Sequence, residues 1–86
     1  MLTIHKQQLE LTEEQHIHVP NGSALLTVQL QNNIPCIWYI CDTEKEHILL
    51  YIAICGTGDI LHGDKGKYIA TLQHGMFVWH VFYKEV

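Results

Sequence analysis

The chain has 86 residues, short of the roughly 100–150 of a typical domain, so it is expected to form one unit over residues 1–86. Its 48% hydrophobic and 16% charged residues exclude intrinsic disorder. Nine acidic residues against five lysines and no arginine give a net charge of −4, and the lysines (Lys6, Lys45, Lys65, Lys67, Lys84) are scattered, which excludes a phosphate-neutralising nucleic-acid surface.

Taken in chain order, Leu2–Leu11 and His16–Val19 read as two short strands, followed by a Pro20-Asn21-Gly22 turn. Between the strands, Thr12-Glu13-Glu14-Gln15 has the form of a capping box, but no amphipathic run follows, so at most one helical turn is expected. Leu26-Thr27-Val28-Gln29-Leu30-Gln31 alternates strictly between apolar and polar, the mark of a half-buried strand. Asn32-Asn33 signals a turn, because Asn tolerates positive φ, and Ile34–Cys41 is the next strand. A charged loop, Asp42–Glu46, leads into His47–Cys55, which is apolar on both faces and reads as a central strand covered on both sides.

Gly56-Thr57-Gly58-Asp59 ends that strand, and a loop runs from it to Gly66. Lys67–Gln73 alternates again, His74-Gly75 reads as a hairpin turn, and Met76–Tyr83 is the last strand. Six or seven strands with short connections predict an all-β antiparallel sandwich or barrel. The longest apolar run, Ile48–Cys55, has only eight residues, where a membrane helix needs about 20, and no basic segment precedes an apolar one as in a secretory signal. Neither a membrane span nor export is therefore expected.

Several residue sets invite a chemical reading. Cys36, Cys41 and Cys55 are odd in number, form no CxxC pair and sit in apolar runs, which predicts reduced core cysteines. His16 and His18 lie two apart in a strand, as paired imidazoles do in β-barrel metal sites. No carboxylate follows at Val19–Ser23 to complete a set, so no metal and no cofactor is expected. Ser23 lacks an elbow motif and the cysteines lack a cationic neighbour, which leaves no nucleophile–base constellation and predicts a non-enzyme. Gly56-Thr57-Gly58 offers consecutive N–H groups at a strand end, a possible anion nest, with Lys65 and Lys67 following in sequence. In the last strand, Phe77, Trp79, Val81 and Tyr83 share one face, and Met76, Val78, His80 and Phe82 share the other. Apolar residues on both faces there, and in Ile48–Cys55, predict a homo-oligomer that buries the second face.

The segments Gln29–Trp38, Gly56-Thr57-Gly58, Gly66–Gln73 and Phe77–Phe82 occur in the order and at the spacing of a known pattern. The chain resembles a family of short, mostly phage- and prophage-encoded proteins of unknown function. It departs from that pattern in carrying Asp59 where the family has His, and in a shorter 42–47 loop. The resemblance implies an accessory protein acting in the host cytoplasm against bacterial defence. Such a protein would sequester a small phosphorylated, nucleotide-derived signal, or bind a host defence protein directly, or serve as a structural phage protein without a ligand. For the first of these, the expected ligand-binding residues are Gly56, Thr57, Gly58, Asp59, Lys65, Lys67 and Trp79.

Overall fold

A computed structural model describes residues 1–86. Seven strands and no helix form the chain: β1 (Leu2–Gln8), β2 (Glu14–Pro20), β3 (Ala24–Gln31), β4 (Ile34–Asp42), β5 (His47–Gly56), β6 (Lys67–His74) and β7 (Phe77–Glu85). Neighbouring strands are antiparallel throughout, in a three-stranded sheet of order β1-β4-β3 and a four-stranded sheet of order β2-β5-β7-β6. The expected all-β domain is thus a sandwich of two sheets. Val28, Ile37, Tyr39 and Cys41 from the smaller sheet belong to one buried cluster with Leu50, Ile52, Ile54, Leu72 and Val81 from the larger. No helix is long and apolar enough to cross a membrane.

Two hairpins follow directly from turn chemistry. Asn32 and Asn33 both adopt positive φ, 52° and 64°, as a two-residue type I′ turn between β3 and β4 demands. The β6–β7 turn falls one residue later than expected. His74 pairs with Phe77, so Gly75 and Met76 are the central residues. Gly75 has φ 62° and Met76 does not, which is the type II′ pattern. Met76 is therefore 89% exposed in the turn instead of opening the strand.

One further expectation is corrected, and another is met in its lower limit. The alternation from Leu26 is broken by a bulge between Leu25 and Thr27: Leu25 packs against the core, and the extra residue, Leu26, is 47% exposed. No helical turn forms at Thr12–Gln15. The Gln15 side-chain amide instead donates to the Glu10 carbonyl at 2.7 Å and accepts from the Glu10 N–H at 3.1 Å, stapling the β1–β2 loop while Gln15 itself continues β2.

The second apolar face of β5 has an intramolecular cover. β5 and β6 are each antiparallel to β7, so they run parallel to one another and need a crossover. Residues 57–66 make it across the outer face of the larger sheet. There the Lys65 ammonium donates to Glu14 Oε1 at 3.2 Å, and Lys84 donates to the Asp64 carbonyl at 2.7 Å. Gly66 lies so close to β7 that a Cβ would overlap the Tyr83 carbonyl oxygen. Beneath the crossover Tyr51, Ala53 and Cys55 are buried within one chain, so this face of β5 does not call for a second copy.

Candidate functional site

The Gly56–Asp59 turn follows from the end of β5. Gly56 stands opposite Trp79 in the β5–β7 register, and a Cβ there would sit 3.3 Å from both Trp79 Cζ3 and Asp59 Oδ2. A larger residue would force the indole or the carboxylate aside. Gly58 has φ 92°, a conformation that glycine adopts freely, with open space around it.

Three of the four backbone donors of this turn are already engaged, and the Gly58 N–H is the one without a partner. Gly56 N–H donates to Asp59 Oδ2 at 2.7 Å, Thr57 N–H donates to the Val78 carbonyl at 3.2 Å, and Asp59 N–H donates to the Gly56 carbonyl at 3.1 Å. The anion position of the nest is thus filled by the chain's own carboxylate. Thr57 Oγ1 shares a 2.7 Å hydrogen bond with His80 Nε2, and His80 Nδ1 shares one of 3.1 Å with Thr71 Oγ1. In the Ser-His-Asp arrangement a carboxylate on the far nitrogen orients the imidazole and stabilises the imidazolium. Here that place belongs to a threonine.

The remaining expected residues divide between two sides of the turn. Trp79 is half-buried, its ring stacked on Phe77 with centroids 5.6 Å apart and planes at 16°. Its Nε1–H is buried without a partner. Lys65 has a side chain only 14% exposed, held by Glu14, which also accepts from the Tyr51 hydroxyl at 3.0 Å. The Lys65 ammonium and the Tyr51 hydroxyl keep the Glu14 carboxyl below the usual carboxylate range, and Glu14 raises Lys65 in turn. Burial, with the Glu14 carboxylate beside it, pushes the Tyr51 phenol up, and burial likewise raises the Cys55 thiol. Lys67 opens β6 opposite Tyr83 and stands apart from the turn.

Two neighbouring cavities meet at Asp59. One, of about 250 Å³, is lined by Leu11, Thr12, Glu13, Ile54, Asp59 and Trp79. The other, of about 430 Å³, is bounded by Gly58, Cys55, His62 and Lys65 among others, and it shares Glu13, Ile54 and Asp59 with the first. A third, of about 350 Å³, lies on the Phe77 side of the turn and includes Gly56, Thr57, Asp59 and Trp79. Glu13 and His62 were not legible as site residues. They reach Asp59 through the β1–β2 loop and the crossover, neither of which carries a periodic pattern. The Thr71–His80 contact depends on the Gly75-Met76 turn; counting back across the expected His74-Gly75 turn would have set Thr71 opposite Val78. His16 and His18 are both exposed on β2 opposite Tyr51 and Leu49, and no group of three or more His, Cys, Asp or Glu side chains is placed to hold a metal ion. All three cysteines are buried and free, in separate surroundings.

The family model described as a domain of unknown function (DUF7352) matches residues 1–86. No curated protein and no solved structure matches the chain.

Proposed function

The chain belongs to the DUF7352 family, and we propose that it is a non-catalytic phage accessory protein that captures a nucleotide-derived defence signal in the cavities around Asp59. The observation that carries this reading is the polarity order along the two cavities that share Glu13, Ile54 and Asp59. Trp79 and Leu11 form an apolar, aromatic end suited to a base. Glu13 and Asp59 are carboxylate acceptors in the middle, suited to ribose hydroxyls. Lys65 and His62 lie at the far end, suited to a phosphate. An ammonium has three donors, and Glu14 takes one of those of Lys65. In this reading the phosphate goes to Lys65 and His62 and not to the Gly56–Gly58 nest, where the Gly56 and Thr57 N–H groups are used internally. The absence of a carboxylate behind the Thr57–His80 pair favours binding over catalysis.

Thermal unfolding with a panel of cyclic dinucleotides, ADP-ribose derivatives and mononucleotides tests this. A ligand at 100 times its Kd stabilises by about 2.7 kcal/mol, a shift of several degrees for a domain this small. That shift should shrink in Glu13→Ala and in Lys65→Met. A panel that leaves the midpoint unmoved overturns the reading. The alternative is then direct binding of a host protein, favoured by one observation: Leu11, Ile60, Met76 and Phe77 are 44%, 79%, 89% and 55% exposed at this same end of the sandwich.

A further inference from the structure

The crossover covers the outer face of the larger sheet, and no segment of the chain covers that of the smaller one. In an antiparallel sheet the side turned to water is ordinarily polar. Here the outward positions of β1 and β4 place Leu2, 74% exposed, and Ile4, 58% exposed, beside Ile40, 38% exposed. Ala24 continues the Ile4–Ile40 row on β3, and the half-buried Trp38 lies between Lys6 and Thr27 in the next row.

We propose that this face is the interface of a two-fold homodimer. Its charges say why a second copy is the occupant. Lys6 and Asp42 are the only charged side chains on this face of the three strands, and they stand at opposite ends of the apolar stretch. Lys6 donates to Gln31 Oε1 at 2.6 Å and Asp42 accepts from the N-terminal ammonium, both through exposed contacts that a partner can replace. Lys6 is level with Trp38 and Asp42 is level with Leu2, four residues apart, or roughly 13 Å along the strand. The Ile4–Ile40–Ala24 row lies midway between them. A two-fold axis along that row, in the plane between two facing sheets, reverses the strand direction and keeps each strand over its own copy. Lys6 then comes level with the partner's Asp42, one strand over, and Asp42 with the partner's Lys6. The face is self-complementary in charge as an isologous contact must be, with the isoleucines at its centre. A cationic or an anionic partner would leave one of the two charges opposed.

Light scattering and sedimentation on the intact chain at micromolar concentration test this. The parent is expected at twice the chain mass, and Ile40→Lys and Ile4→Lys at the mass of a monomer, both folded by circular dichroism because both positions are exposed. Lys6→Asp and Asp42→Lys should each raise the dimer Kd by about tenfold or more, and the double variant should return most of that loss. Asp42 also accepts from the N-terminal ammonium at 2.9 Å, and loss of that contact alone would not be restored by changing Lys6. A monomeric parent overturns the proposal, including the case in which the face is held for another protein. So does a dimer indifferent to Ile40→Lys, or a double variant no better than the singles.

Discussion

Asp59 Oδ2 accepts the Gly56 N–H at 2.7 Å, so a side chain from within the turn takes the position that an external anion would occupy. A strand-end glycine pair therefore serves as a self-closed loop. The carboxylate that closes it also borders the cavity walled by Trp79 and the one that reaches Lys65.

Removing the Asp59 carboxylate should reopen the nest. The hydrogen bond is solvent-exposed and contributes about 1 kcal/mol, so Asp59→Ala should lower the thermal midpoint by about 4–8 °C. Sulfate should then shift the amide resonances of Gly56 and Gly58 in the variant and leave them unmoved in the parent. Equal shifts in both proteins would mean that the turn binds anions with Asp59 in place.

Gly58 and Gly66 have almost the same positive φ, 92° and 91°, but differ in surroundings. Nothing lies near Gly58, so Gly58→Ala carries conformational strain alone, about 1–3 kcal/mol. At Gly66 a Cβ would meet the Tyr83 carbonyl and Lys84 Cβ, and the crossover would have to lift from β7. Gly66→Ala should therefore destabilise markedly more in chemical denaturation, and Cys55, buried beneath the crossover, should become reactive to a thiol reagent. Equal losses at the two glycines would show that packing against Tyr83 adds nothing.

This contrast marks what the sequence made legible. Asn32-Asn33, the Val28–Leu30 alternation and the two-faced apolar run of β5 are local patterns, and each is realised as strand or turn. The crossover is different. Residues 57–66 have no period, and their partners Glu14, Tyr83 and Lys84 lie far off in sequence. The apolar second face of β5 was legible, but whether a loop or a second copy covers it depends on a path that no local pattern encodes. The grouping of Glu13 and His62 with Asp59 was hidden for the same reason.

The Glu14–Lys65 pair makes a two-sided pH prediction. Glu14 is held below the usual carboxylate range, so its contribution is present above that range and is lost as pH falls through the lowered folded value. Lys65 is raised, so its contribution is complete below the usual lysine range and is lost as pH rises through the raised folded value. Stability from this pair should be flat across neutral pH. In a series of thermal midpoints, Glu14→Gln and Lys65→Met should each flatten both limbs relative to the parent, because each group is the main cause of the other's shift. An acid limb unchanged in Glu14→Gln would assign the acid sensitivity to other carboxylates.

The β3 bulge separates two registers that differ in which leucine is inside. A strict alternation puts Leu26 in the core with Val28 and Leu30, whereas the folded strand turns Leu25 inward and leaves Leu26 47% exposed. The two differ because one inserted residue opposite Trp38 changes the face of everything before it, while Val28 and Leu30 keep theirs. Leu26→Ala should therefore change stability by no more than about 0.5 kcal/mol. Leu25→Ala removes a partly buried side chain that packs on the core, and should cost about 1–2 kcal/mol, below the range for a fully buried leucine. Chemical denaturation of the two variants reads the register directly. If Leu26→Ala is the more damaging, β3 pairs with β4 without the bulge and the alternation holds along its whole length.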